Sequence, residues 1–456
     1  MIFFGNLFFH FRDDKQVSFL FNLISFRRKI LTSSERDLIC SMMKKNATIQ
    51  LFGEKEIEFY EELKKKKQIF CEKDEQRIHD YYAQHYMRFR KKTHTYDTEQ
   101  NITIQVTQKC NMNCTYCYCH EGIEGKETIS IEQIDYIAQY YEFLSQKLKV
   151  NINISSVTFT GGEPLLDEDT VSLINYSVKK WPEAKLYIMT NGLNLMKFYS
   201  LLPLNQTEMV QVSLDGVMRI HMERRFSKPV ANSNYDLIIK GIQKLLVNKK
   251  KVRIAITLDR ENYKHIMEFI QFLKRENIVG NPNLELKFSA VADFSSELEF
   301  DPEHNTLDEV FEIAEYMKVN LGVQVTSFFP ALGHLIQYLF REDTSFKPPY
   351  LQKCLARSFN QLNFSPNGNV YLCICTDEKK GLMGTYFPQM VLHEEALRRV
   401  ANYNPIFDNV KCRVCIFKYV CLGGCPVYAE AQNKKTVCSI FGQEEILEKI
   451  LYLALV

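Results

Sequence analysis

Apolar and polar positions change rhythm three times along the chain. Between residues 33 and 66 the spacing is helical. Ser33-Ser34-Glu35 offers a helix start, and Leu38, Ile39, Met42 and Met43 follow at one-face intervals. A second helix is predicted from Glu54 to Lys66, then a short strand from Gln68 to Cys71. Two short helices leading into a strand suggest a small winged-helix-like module over residues 1–95. The Lys64–Lys67 run reads as a solvated helix end. Residues 76–100, charged and tyrosine-rich, read as a connecting segment.

From about residue 100 to 330 the pattern alternates between strand and helix. Predicted strands are Ile102–Thr107, Val157–Thr160, Leu186–Thr190, Val210–Leu214, Val252–Leu258 and Leu284–Ala290. Helical patterns such as Ile131–Leu148, Tyr235–Val247 and Tyr263–Arg275 lie between them. Interleaved strands and helices predict an α/β fold with a parallel sheet, open or curled toward a barrel. In either geometry ligands gather at the C-terminal strand ends. Beyond about residue 350 the rhythm fades. Pro366-Asn367-Gly368-Asn369 between apolar stretches marks a hairpin, and a cysteine-rich, loop-rich segment follows. A small unit of that kind is usually held by metal.

Composition agrees with this division. The chain has 456 residues, and roughly 150 residues per domain suggests about three. With 46% apolar and 25% charged residues, disorder and coiled-coil rods are excluded. The 57 basic and 55 acidic residues nearly cancel, so no chain-wide case exists for nucleic acid or membrane as a partner. The apolar start, Met1 to Phe9, stops at His10, Arg12, Asp13, Asp14 and Lys15, too soon for a signal core. A cytoplasmic protein is expected.

Fourteen cysteines change the picture most. In a long chain without a signal peptide, clustered cysteines point to metal or catalysis rather than disulfides. Cys40 and Cys71 stand apart and read as packing residues. Directly after the first strand of the alternating region, Cys110, Cys114 and Cys117 follow a C-x3-C-x2-C spacing. Three thiolates in one loop can hold three corners of an iron–sulfur cube and leave the fourth iron open. Zinc favours four closed protein ligands, so this is a poorer zinc pattern. Cys119 breaks the spacing.

With these cysteines the sequence resembles the radical S-adenosylmethionine (radical SAM) superfamily. Tyr116 holds the aromatic position before the third Cys. Gly161-Gly162-Glu163-Pro164 ends the second strand, Thr190-Asn191-Gly192 the third, and Ser213-Leu214-Asp215-Gly216 the fourth. Paired glycines let backbone approach a ligand closely, and carbonyls at a strand end can accept from an ammonium group. Ser213 can donate to a ribose or carboxylate. Arg225 matches a family basic residue whose fork suits a carboxylate. The resemblance implies a partial (β/α)6 barrel over residues 96–340. It also implies that a 4Fe–4S cluster on Cys110, Cys114 and Cys117 chelates S-adenosyl-L-methionine. One electron then releases a 5′-deoxyadenosyl radical that abstracts hydrogen. Tyr116, Gly161, Gly162, Glu163, Pro164, Asn191, Ser213, Asp215 and Arg225 would contact that cofactor.

The C-terminal cysteines read Cys354-x13-Gly368-x4-Cys373, then Cys412-x2-Cys415-x5-Cys421-x3-Cys425-x12-Cys438. Seven exceed the need of one four-ligand site, so two centres fit better. This spacing resembles the SPASM auxiliary-cluster domain of peptide- and protein-modifying radical SAM enzymes, here over residues 341–456. It implies one auxiliary 4Fe–4S cluster on Cys412, Cys415, Cys421 and Cys438, and three corners of another on Cys354, Cys373 and Cys425. The fourth corner is open to a substrate atom or closed by Cys375; the open site is the favoured reading. Residues 355–367 contain no further Cys.

Two rival enzymes remain after that resemblance. Anaerobic sulfatase maturases, which form formylglycine, carry an Asp base where this chain has Ile374, and an apolar side chain accepts no proton. A maturase of ribosomally made peptides often begins with a winged-helix-like module that binds the precursor's leader as an added strand. The favoured expectation is such a maturase, forming a sactipeptide- or ranthipeptide-type thioether or a carbon–carbon crosslink. Its partners would be a leader-bearing precursor peptide and an electron donor such as flavodoxin or ferredoxin. An iron–sulfur electron-transfer or zinc-binding protein is the non-enzymatic alternative. It leaves Gly161–Pro164, Asn191 and Asp215 unexplained.

Overall fold

The computed structural model describes residues 6–10, 18–22, 28–45, 48–66, 99–117, 127–227, 233–258, 262–290, 361–373, 381–393 and 405–415. Isolated further positions lie between 68 and 84, at 319, and between 395 and 436. The alternating region forms as its pattern requires. Strands β4 (Glu99–Thr107), β6 (Asn153–Gly161), β7 (Lys185–Thr190), β8 (Thr207–Ser213), β10 (Val252–Leu258) and β11 (Leu284–Ala290) lie side by side in chain order, all parallel. Because each strand neighbours its predecessor, the sheet winds in one direction, as in a barrel. The doubly wound alternative reverses its order midway.

Burial explains the strands. In β10, Val252, Ile254, Ile256 and Leu258 are buried while the alternating Arg253, Ala255 and Thr257 are only half-buried. Helices cover the sheet, two of them started by side-chain caps. Ser130 and Gln133 close a capping box at the head of α3 (Ile131–Leu148). Asp167 caps α4 (Glu168–Lys180), accepting from Thr170 N–H at 2.9 Å. α5 (Met218–Arg224), α6 (Ser233–Val247) and α7 (Ile266–Arg275) complete the set used below.

The parallel sheet does not stop at β4. Strand β12 (Gln361–Phe364) pairs parallel to it, with Leu362 opposite Ile102 and Phe364 opposite Ile104. β13 (Asn369–Tyr371), β14 (Leu382–Thr385) and β15 (Val391–Leu392) continue antiparallel to the far edge. The expected hairpin around Pro366–Asn369 is therefore real, and it extends the central sheet. Gly368 sits at φ +84° with the Phe387 carbonyl where a Cβ would be, 2.2 Å away. Aromatic packing welds this extension to α3. Phe364 meets Tyr140 edge-on at 5.7 Å and Tyr386 at 5.2 Å, and Gln133 Nε2 donates to the Pro366 carbonyl at 2.6 Å.

The N-terminal expectation holds in its two helices but not at the start of the strand after them. Before the two expected helices, α1 (Ser33–Lys44) and α2 (Glu54–Lys65), lies an antiparallel three-stranded sheet. Its strands are β1 (Asn6–His10), β2 (Ser18–Asn22) and β3 (Arg28–Leu31), in that order. The apolar start is thus strand. The expected strand at Gln68–Cys71 is absent at its first two positions, and the rest lies outside the described residues. Leu20, Leu31, Ile39, Met42, Phe59, Leu63 and Ile69 form a separate small core. Among the described residues no helix is long and apolar enough to cross a membrane.

If the C-terminal hairpin and the barrel form one cooperative body, Phe364→Ala should cost about 3–5 kcal/mol, the usual cost of emptying a buried phenylalanine site. Thermal unfolding followed by circular dichroism should show one transition moved down. A separate early transition would mean that the hairpin folds by itself.

Candidate active site

The site lies at the C-terminal ends of the parallel strands, where the cysteine loop leaves β4. Two constraints shape that loop. First, Gly161 and Gly162 press against it. A Cβ on Gly161 would lie 2.2 Å from the Thr107 carbonyl oxygen, and one on Gly162 would lie 2.2 Å from that of Lys109. Gly162 N–H donates to Thr107 O at 2.7 Å and Glu163 N–H to Lys109 O at 3.0 Å. The glycines thus serve a close approach of chain to chain. Second, β5 (Met112–Cys114) pairs antiparallel with β9 (Arg225–Ser227), setting Cys114 opposite Arg225. Thr115 N–H adds a bond to Arg224 O at 2.9 Å.

Glu163 faces inward and is only 1% exposed. Its carboxylate accepts from Leu165 N–H at 2.9 Å, Thr190 Oγ1 at 2.5 Å and Asn191 N–H at 2.7 Å. Burial pushes its carboxyl up to about 7 against the pull of those donors. Asn191 then reaches across with Nδ2, donating to Asn111 Oδ1 at 2.7 Å and lying 3.9 Å from Cys110 Sγ. Gly161, Gly162, Glu163 and Asn191 are therefore gathered around the base of the loop. Pro164 is buried beside them, and Ser213 is half-buried at the end of β8.

Asp215 is the second anchor. Fully buried just after β8, its carboxylate accepts from Thr257 N–H at 3.0 Å, from Arg225 Nε at 2.8 Å and from the Tyr116 hydroxyl. Arg224 Nε lies 3.5 Å away. Burial works to raise this carboxyl, but the charge of Arg225 and the Tyr116 bond outweigh it and hold it below the ordinary carboxylate range. The Asp215 carbonyl accepts from Asn262 Nδ2 at 3.0 Å, and its N–H donates to His221 Nδ1 at 3.3 Å. His221 is itself fully buried, and burial pushes its imidazole down to about 4, so it is neutral.

The three thiols share one neighbourhood. Cys110 and Cys114 each feel the charge of Cys117, and Cys114 also that of Cys110. As free thiols both are raised by burial, Cys114 to about 11, with Arg225 opposing. A bound metal removes those protons outright. Among the described residues no group of three His, Cys, Asp or Glu converges on one point as a single ion needs. In a cube each thiolate serves a different iron, so such convergence is not required. Three clustered thiols beside buried guanidinium groups fit an open-cornered, net-negative cluster.

Sequence reasoning missed the residues that hold these pieces together. Arg224, His221, Asn262 and Asn111 make the contacts above. The Arg224-Arg225 doublet, so close to the cysteine loop in space, was the one visible signal. Of the C-terminal cysteines, Cys373 follows β13, while Cys412 lies within, and Cys415 directly after, a short helix (Val410–Val414) capped by Asn409. Thr436 Oγ1 lies 3.6 Å from Cys412 Sγ and donates to Gly423 O at 3.0 Å, so the tail returns to the Cys412 loop. Cys354, Cys375, Cys421, Cys425 and Cys438 lie outside the described residues.

Fold and site together define an α/β protein with a three-cysteine loop at the C-terminal ends of its strands. Residues 104–273 match the model of the Radical SAM superfamily, so this stretch is similar to a radical SAM domain. Such a domain implies S-adenosylmethionine and a 4Fe–4S cluster. In sequence, the chain is 24% identical over 285 residues to a probable GTP 3′,8-cyclase of Saccharolobus islandicus, covering 61% of this chain and 84% of that one. In fold, it resembles Streptococcus suis SuiB bound to S-adenosylmethionine, at TM-score 0.56 and 15% identity, over 96% of this chain and 99% of that one. SuiB has also been solved with its precursor peptide SuiA. The chain likewise resembles anSMEcpe with bound AdoMet, at TM-score 0.57 and 16% identity, over 78% and 97%.

Gly162→Ala should displace the Lys109 carbonyl and with it the start of the cysteine loop. The expected outcome is a folded protein, by far-ultraviolet circular dichroism, with clearly less iron per chain after anaerobic reconstitution. Full iron loading in this variant would show that the tight crossing does not set the loop.

Proposed function

We propose that this enzyme matures a ribosomally made precursor peptide by radical S-adenosylmethionine chemistry, forming a thioether of the sactipeptide or ranthipeptide type or a carbon–carbon crosslink. The observation that carries this reading is the N-terminal sheet. β3 is an edge strand among the described strands, followed directly by α1, with Ile30 on it 60% exposed. An extended leader could add to such an edge through main-chain hydrogen bonds. The likeness to SuiB, a protein solved with a precursor peptide, takes in almost the whole chain and supports the same reading. The sequence likeness to GTP cyclases covers a smaller share of the chain.

When bound, the cofactor pair supplies a carbon-centred radical able to take hydrogen from an unactivated carbon. This chain's residues do the rest. Cys110, Cys114 and Cys117 would hold the iron–sulfur cluster, and Asn191 would brace Cys110. Tyr116, Gly161, Gly162, Glu163, Pro164, Ser213, Asp215 and Arg225 would line or support the S-adenosylmethionine site. Cys412, Cys415, Cys421 and Cys438 would hold one auxiliary cluster, and Cys354, Cys373 and Cys425 part of another. That second cluster's open iron could hold a substrate thiolate. The protein would act in the cytoplasm with a flavodoxin- or ferredoxin-type donor. A sulfatase-type maturase is disfavoured by Ile374, which cannot serve as a base.

The test is the mass of a candidate precursor peptide, encoded beside this gene and co-expressed anaerobically with the enzyme. Loss of a pair of hydrogens per modification is expected, and none with the enzyme carrying Ala at Cys110, Cys114 and Cys117. An unmodified peptide, together with conversion of GTP by the same enzyme, would overturn the peptide reading.

A further inference from the structure

Two adjacent arginines occupy one buried corner of the site. Arg224 ends α5 and Arg225 begins β9, and their side chains are only 3% and 12% exposed. Both guanidinium groups lie over the Tyr116 ring, at 4.7 and 5.2 Å from its centroid, and both face the Asp215 carboxylate. Arg224 Nη2 also donates to Thr257 O at 2.9 Å. Asp215 is thus shared between the two guanidinium groups. Arg225 Nη1 lies 3.8 Å from Cys114 Sγ, its cross-strand neighbour.

We infer that Arg225, backed by Arg224, is a positioning residue for the cluster, holding Cys114 and setting the cluster's reduction potential through its charge. This rests on the cluster reading of the cysteine loop and is independent of the peptide substrate. A cluster held by the loop's thiolates carries negative charge beside this cation. Reduction adds one more, which a fixed cation a few ångströms away, little screened by water, favours. The ladder between β5 and β9 holds that cation at a constant distance. Asp215 engages Nε and leaves Nη1 for the sulfur. Arg225 therefore grips a carboxylate of the protein itself, and its free edge serves the metal site.

The test uses the full chain reconstituted anaerobically with iron and sulfide, as wild type, Arg225→Lys, Arg225→Gln and Arg224→Gln. Mediated redox titration is followed by electron paramagnetic resonance on the cluster signal that S-adenosylmethionine perturbs. Arg225→Gln should keep its iron and shift the midpoint to more negative potential. Arg224→Gln should shift it less in the same direction, and Arg225→Lys should restore it toward wild type. An unchanged midpoint in iron-replete Arg225→Gln, with weakened S-adenosylmethionine binding, would overturn the inference and make Arg225 a cofactor ligand. If Arg225→Gln fails to load iron, an unshifted midpoint in Arg224→Gln overturns it equally. A wild-type chain that takes up no iron would instead remove the cluster reading on which the inference stands.

Discussion

The site depends on one buried carboxylate. Asp215 has no access to water, and its charge is held by Arg225, the Tyr116 hydroxyl and the Thr257 amide. Those partners belong to different pieces of chain: the cysteine loop, the strand that follows α5, and the end of β10. Removing one partner of a buried charged group typically costs about 3–5 kcal/mol. The loop's position is therefore coupled to the parallel sheet through an interaction too costly to break casually. Glu163 does the same on the opposite flank, tying β6 to β7 and, through Asn191, to Cys110.

Packing and electrostatics divide the work between them. Glycines at 161 and 162 allow the backbone of β4 and the loop start to lie against β6, which fixes the root of the loop. The short β5–β9 ladder fixes its far end opposite Arg225. Around those two fixed points, three thiols are left half-buried and mutually close, with buried cations beside them. This is an arrangement suited to holding negative charge away from water. The strand ends supply the frame on which these pieces are held.

Much of this was readable from residue order. The six parallel strands appear where Ile, Val and Leu recur between helical stretches, because a strand with one face buried and the other half-buried leaves a strong apolar signal. The turn at Pro366–Asn369 was equally clear. Its partnership was not: that β12 would lie beside β4 is a contact between residues some 260 apart in sequence, to which local pattern is blind. At the N-terminus the strand β1 was taken for a mere apolar start, since a single short strand has no period long enough to see. Within the site, Tyr116, Asn191, Asp215 and Arg225 were found by motif, but their contacts were not. Nothing in the order of residues says that Arg225 spends its fork on Asp215, or that Gly162 makes room for the Lys109 carbonyl.

The central claim is that Cys110, Cys114 and Cys117 hold a cluster that cleaves S-adenosylmethionine. It is tested most directly by assaying 5′-deoxyadenosine formed by the reduced, reconstituted protein, with and without Ala at the three cysteines. Formation of 5′-deoxyadenosine by the wild type and none by the variant, with the C-terminal cysteines intact in both, is the result the account predicts. Equal yields from the two proteins, or none from an iron-loaded wild type, would contradict it.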